Sequence, residues 1–340
     1  MSIADFARRC AVALLFVVLA LLAYALAQVL LLIFGAALIA VVLRALAAPI
    51  RRWTRVPDHT AVMLAVLVLL LLLAAAGALF GAGMTQDFDA LQSQLARGWA
   101  ALQAKLGGSV LGNNLLEWLR EATPSSRDVA SRFGSFLGTL GSALANLIIA
   151  LFAGVYLALS PSLYVEGIAM LFPRSHHDQL IAAMRNAGRA LNLWLIGQLV
   201  AMLLVGVLTA AGLWLVGVPS ALALGLIAGI TEFIPFVGPV AAAIPGLLIA
   251  LTVSPEMMVY ALAVYVIVQQ AEGNLITPLI VRRTVSIPPA LTLLGVLAAG
   301  VLFGPLGVLL AAPLVVVAFV LVKRLYVRDT LGHTVDIPGE

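Results

Sequence analysis

The sequence predicts an all-α polytopic membrane protein with about eight transmembrane spans, two of its long apolar runs being broken by glycine and proline. Three observations predict it. Of the 340 residues, 63% are hydrophobic and only 10% are charged, against roughly 25% charged in an ordinary soluble domain. The mean hydropathy is +1.14. The apolar residues fall in runs of bilayer-crossing length. No polar shell is available to cover that much apolar surface in water. Soluble enzymes, disordered chains and nucleic-acid modules are therefore excluded. The net charge of +4 reports Lys and Arg kept in loops on one side of a membrane and implies no nucleic-acid partner. The single cysteine, Cys10, has no partner for an intramolecular disulfide.

The elements follow in order. Residues 1–83 hold spans one to three. Arg8 and Arg9 precede an apolar run that passes the cleavage-like Ala25-Leu26-Ala27 and continues to Leu43. It reads as an uncleaved helical hairpin turning near Gln28–Leu32 rather than a signal peptide, and residues 61–83 make the third span. Residues 84–137 form an extramembrane amphipathic helical domain. Its charges cancel, and Phe88, Leu91, Leu95, Trp99 and Leu102 recur at helical spacing. Residues 138–192 hold span four (138–159) and a cytoplasmic interfacial helix. That helix starts at Ser175–Asp178 and shares Leu180, Met184, Ala187 and Leu191 on one face.

Residues 193–325 form the transport core: a span at 193–217, a broken run at 218–252, a span at 257–276 and a broken run at 287–322. Residues 326–340 are a cytoplasmic tail. Placing Arg8/Arg9, Arg44–Arg55, Arg174–Arg189, Arg282/Arg283 and Lys323–Arg328 on the cytoplasmic side puts both termini inside, and the parity closes.

Each broken run has two arms around a Gly/Pro tip. Glu232, Pro235, Gly238 and Pro239 mark the first tip, with Pro245 beyond it. Gly304, Pro305 and Gly307 mark the second, with Pro313 beyond it. The runs are either re-entrant hairpins, whose tips gate access near the midplane, or helical hairpins turning at the surface. Interrupted segments in corresponding positions point to a transport site. Non-helical backbone at that depth is tolerated only in protein or along a wet cavity.

From Gln179 to Arg328 the chain has three acids: Glu232, Glu256 and Glu272. Glu256 follows Pro255 in a loop. Glu232 and Glu272 lie in apolar surroundings, where an acid costs roughly 2.5–3.5 kcal/mol to insert. They are candidate coupling groups. The alternative is that Glu232 reaches the outer interface and Glu272 caps backbone groups. Gln198, Gln269 and Asn274 add neutral hydrogen-bonding groups, which either line a polar path or join helices.

No phosphate-binding Gly-rich loop and no His-Glu-x-x-His stand in the sequence, and Ser135 has no histidine at its depth. No enzymatic activity, cofactor or metal site is expected.

Phe233-Ile-Pro235-Phe-Val-Gly238-Pro239 with Pro245, Glu272-Gly-Asn274-Leu-Ile-Thr-Pro278, Ile287-Pro288, Gly304-Pro-Leu-Gly307 and Ala312-Pro313 together resemble the autoinducer-2 exporter (AI-2E) family of bacterial transporters. The resemblance covers about residues 10–325 and is most specific in the C-terminal half. It implies a multi-pass transporter of the bacterial inner membrane and a homo-oligomer, a pentamer being one form. It also implies export of a small polar, autoinducer-2-like signal in quorum sensing, or sodium (lithium)/proton antiport. The coupling ion would be a proton or sodium. Ile196 and Gly273 depart from residues common in that family (a basic residue and an Asn). A non-transport scaffold working through 84–137 is the third reading.

Overall fold

The computed structural model describes residues 25–71, 148–278 and 287–340, with isolated positions 14, 18, 21, 22, 74, 97 and 285. The expected extramembrane domain at 84–137, Ser135 and the Arg282/Arg283 pair lie outside the described residues. Every regular element among those described is helical. By length and composition four helical elements among those described could cross a bilayer, or five counting one bent pair, and one of the four, Pro289–Arg328, is folded back on itself at Gly304.

Helix α1 (Ala27–Thr54) runs unbroken through the place where a hairpin turn was expected. Leu26 lies just outside it, yet the main-chain bonds from Leu26 to Leu22 and Leu30 to Leu26, both 2.9 Å, carry the ladder across. Nothing in Gln28–Leu32 is a glycine or proline, so no residue there favours reversal. Arg55 stops the helix in the left-handed conformation (φ 55°), with Arg51 and Arg52 in the last turn opposing the carbonyl end. Pro57 follows, and α2 (Asp58–Leu71) turns back. Small side chains let the two pack closely: Ala40, Leu43 and Ala47 meet Ala61, Val62, Ala65 and Ala158. Asp58 accepts from Arg51 and, at 3.3 Å, from Arg44. The Arg51 hydrogen bond holds its carboxyl below the usual range, so this exposed pair persists at neutral pH and is lost only as the pH falls through the acid range.

Helices α3 (Ile148–Leu159) and α4 (Pro161–Ala169) meet at 87°. Pro161 opens α4 at a position where its missing N–H costs nothing. Leu163, Ile168, Met170 and Leu171 are exposed there, so α4 has the character of a helix lying in the membrane interface. The expected interfacial helix at 178–192 is not separate. After a short turn at Arg174–His176, α5 (His177–Leu215) is one 39-residue helix, about 58 Å long. No proline interrupts 178–193, and Asn186, Gly188 and Asn192 are carried inside the helix, so the polar stretch extends the span beyond the hydrocarbon.

Helix α6 (Ala221–Thr231) lies on α5 through small residues. A Cβ on Gly229 would sit 2.8 Å from the Met202 carbonyl and 3.2 Å from the Gly206 Cα, and one on Gly225 would strike Ala210. Such close backbone approach is how helices associate where lipid is as apolar as leucine. Gly229→Leu is expected to force α5 and α6 apart and lower the thermal midpoint by several degrees. Thermal unfolding of the detergent-purified protein checks it, and an unchanged midpoint would contradict the packing described.

Helices α6 and α7 (Val237–Val253) are the arms of the first broken run, about 16 and 25 Å long, both short of a 30 Å hydrocarbon core. Their turn is strained. Phe236 has φ 65°, and the Val237 N–H reaches the Pro235 carbonyl at 2.8 Å, a three-residue turn of the rare hand. Helix α8 (Pro255–Ala271) starts conventionally, with the Ser254 hydroxyl accepting from the Met257 N–H at 3.0 Å. It ends in a π-turn, Glu272–Ile276.

Pro289–Leu321 (α9) carries Gly304 at φ 66°, ψ −151°, a region open essentially to glycine alone. A Cβ on Gly295 would strike Val315, one on Gly300 would sit 2.9 Å from Val308, and one on Gly307 would strike the Ala299 carbonyl. In a straight helix Gly295 and Val315 would stand about 30 Å apart. The element is therefore an antiparallel hairpin folded at Gly304, not one span. Beyond it the chain returns along α5. Ile337 is buried with Ala187, Ala190, Val285, Val316 and Val320, and Glu340 pairs with Arg324 at 3.0 Å and Arg328 at 2.5 Å.

Candidate functional site

Four elements converge on a cavity of about 200 Å³. Helix α5 contributes Trp194, Gly197, Gln198 and Ala201. The first hairpin tip contributes Glu232 and Pro235, the π-turn region Glu272 and Thr277, and the arms of α9 Thr292 and Ala312. The α5 residues form an i, i+3, i+4, i+7 stripe, a single helix face. Val285 and Ile287 close one side and join the cluster that holds Ile337.

Glu232 is 5% exposed and follows the last residue of α6. Its main-chain carbonyl is one of the helix-end acceptors that lack an internal donor, and the Gln198 side chain supplies one at 2.7 Å. The Trp194 and Phe233 rings meet edge to face at 5.9 Å. Among the described residues the Glu232 carboxylate has no hydrogen bond or ion pair. Glu272 is held differently. Thr277 donates to one carboxylate oxygen at 2.6 Å, and Gln269 to the other at 2.9 Å, both charge-assisted. The π-turn makes the first bond possible, because residues five apart share a face in a π-helix but diverge by about 140° in an α-helix. Single π-turns of this kind recur at functional sites.

Among the described residues no Lys, Arg or His lines the cavity. Its polar lining is two carboxylates, an amide, two threonine hydroxyls and an indole. Oxygen donors predominate, so the site suits a proton, a small cation or a polar neutral solute, and disfavours an anion. Gln198→Leu leaves the Glu232 carbonyl unpaired. It is expected to cost about 1–3 kcal/mol, read as a lowered thermal midpoint, whereas Gln198→Glu at neutral pH retains the volume and loses the donor.

Of the residues expected from the sequence, the structure brings Glu232, Glu272, Gln198 and Pro235 to one cavity, with Gln269 bonded behind Glu272. Asn274 is exposed and lines nothing there. The sequence leaves open whether the two tips meet, and only the first of them lines this cavity. Gly304, Pro305 and Gly307 lie away from the cavity, and α9 reaches it through Thr292 and Ala312 on its arms. Thr292 is 12 residues from the tip, about 18 Å along the arm. Gly238 holds the first tip closed from behind. Pro245 is buried inside α7 beside Gly246, which packs against the Tyr265 ring, and Pro313 is buried in α9. Pro239 does not line the cavity. Trp194 and Thr292 were not singled out from sequence, and Ala312 stood there only as part of the Ala312-Pro313 motif. The α5 stripe around Gln198 was the available signal for Trp194.

Three relatives are similar over part of their length. "Putative transport protein YrrI" of Bacillus subtilis (strain 168) is 35% identical over 158 residues, covering 46% of this chain and 45% of that protein. "Putative transport protein YueF" of the same organism is 35% identical over 153 residues, 44% and 42%. "Putative transport protein MT0215" of Mycobacterium tuberculosis (strain CDC 1551 / Oshkosh) is 33% identical over 211 residues, 60% and 55%. The chain thus spans about half the length of the curated relatives it matches. The family model described as AI-2E family transporter matches residues 13–326. That match takes in every element of the cavity and both broken hairpins, and the chain belongs to the AI-2E transporter family.

Proposed function

We propose that the protein is a secondary transporter that exports a small polar, autoinducer-2-like solute, with Glu232 and Glu272 coupling export to a proton or sodium gradient. One observation carries this reading. Two carboxylates, from the tip of a broken hairpin and from a π-turn, face one small cavity, and no basic side chain among the described residues lines it. A buried acid of that kind is retained at a cost in stability and is a functional site by default. The broken elements around it are what a moving gate requires.

Sodium (lithium)/proton antiport is the second reading. The cavity volume of about 200 Å³ and its oxygen-rich lining favour it. Purified protein in proteoliposomes separates the two. Solute movement that collapses with the pH or sodium gradient supports export. Sodium-linked proton movement without organic solute supports antiport. Neither flux, with protein shown to be inserted and folded, would overturn both.

We place the protein in the bacterial inner membrane with both termini cytoplasmic. The Arg44–Arg55 cluster, the Arg185/Arg189 end of α5 and the Lys323–Arg328 segment gather at one end of the fold, as basic loops do on the cytoplasmic side. A homo-oligomer fits the wide lipid-facing apolar surface, where Leu203, Val207, Leu297 and Val301 are exposed.

A further inference from the structure

A second cavity, of about 1010 Å³, lies between α1, the α3–α4 bend and α5. It sits on the other face of α5: Ile196 lines it and Gln198 lines the first, about 200° apart around the helix. Its volume is at the upper end of the range for small-molecule sites. Its walls are mainly small and apolar, with Ala37, Val41 and Ala45 on one side. Among the described residues three arginines, Arg44, Arg185 and Arg189, face it and no acid does.

These groups are unequally satisfied. Arg44 donates to the Ala158 carbonyl at 2.8 Å and to Asp58 at 3.3 Å, and Arg189 donates to the Asn186 side-chain oxygen at 2.7 Å. Arg185 has no hydrogen bond or ion pair among the described residues. The Asn192 Oδ1, on the same cavity wall, is buried without a donor. An unsatisfied buried acceptor is costly, and an excess of guanidinium groups needs an anion with multiple oxygens. The depth is marked by α4, whose exposed apolar side chains give it the character of an interfacial helix.

We infer that this cavity binds an anionic glycerophospholipid, its phosphodiester against Arg185, Arg189 and Arg44, and its acyl chains along the alanine-rich wall of α1. Basic pockets between membrane helices recognise lipid headgroups in this way. The site is independent of the transport reading, since it shares no lining residue with the Glu232 cavity.

The test is native mass spectrometry of the detergent-purified full chain, titrated with phosphatidylglycerol, phosphatidylcholine or inorganic phosphate. Phosphatidylglycerol is expected to be retained about tenfold better than phosphatidylcholine. Arg185→Ala with Arg189→Ala is expected to erase that preference, at about threefold per arginine. Ala45→Trp obstructs the alanine-rich wall without changing charge and is expected to lower retention of phosphatidylglycerol with all three arginines present. Thermal midpoints identify variants that fail to fold, and the inference then rests on the variant that folds and on the wild-type preference. Equal retention of the two lipids, unchanged preference in the arginine variant, or full retention in Ala45→Trp would each overturn it. Displacement of phosphatidylglycerol by millimolar phosphate would also overturn it, assigning the site to a free anion.

Discussion

Glu232→Gln and Glu272→Gln are each expected to cut gradient-driven flux at least about tenfold, a change of about 1.4 kcal/mol or more in the coupled step, without loss of folding. The amide keeps the shape of the acid and removes its charge. At position 232 the carboxylate has no partner among the described residues, so the amide relieves the cost of an isolated charge in a low-dielectric site. The thermal midpoint should stay level or rise. At position 272 the carboxylate accepts from Thr277 and Gln269. An amide turns one acceptor into a donor facing a donor, so the midpoint should fall modestly. Flux in proteoliposomes and thermal unfolding in detergent check the two halves separately. Normal flux in both variants would remove the carboxylates from the mechanism.

Gly238→Val has the largest expected structural effect. A Cβ at this position would strike the Thr231 carbonyl oxygen and stand 3.0 Å from the Glu232 nitrogen. Both obstacles are main chain at the helix end, so no rotamer change relieves the clash. Overpacking of this kind costs about 1–3 kcal/mol even where side chains can adjust. Here the tip itself has to open, carrying Glu232 and Pro235 away from Gln198 and Thr292. Loss of flux together with a midpoint lowered by several degrees is expected. Gly273→Ala is the matched control, because nothing lies within 4 Å of a Cβ there. A Gly238→Val protein with wild-type midpoint and flux would contradict the tip geometry.

The sequence was legible where a residue type admits few alternatives. Charge scarcity identified a membrane protein. Gly238 and Gly304 marked the reversals, because one closes a main-chain contact and the other adopts a glycine-only conformation. Glu232 and Glu272 stood out because acids are rare in apolar runs. What could not be read was set by tertiary packing. Gly206 sits within a helix and Gly304 reverses one, yet both lie in apolar runs. Hydropathy scores Pro289–Arg328 as one span, since it counts apolar residues and not the antiparallel contacts that fold the element in two. Symmetric sequence features suggested symmetric roles, whereas the α9 arms, not their tip, reach Glu232. Trp194 and Thr292 become visible only once α5 and α9 are placed side by side.

The central claim is that the Glu232–Glu272 cavity is a transport path reached in turn from both sides of the membrane. The direct measurement is labelling of Thr292→Cys, in a chain whose one native cysteine is replaced (Cys10→Ser), by a membrane-impermeant maleimide. Vesicles of each orientation are compared with and without an imposed ion gradient. The account predicts labelling from both faces, a change in the ratio when the gradient is imposed, and inhibition of flux by the attached group. Protection from labelling on both faces, or labelling from one face regardless of the gradient, would contradict it.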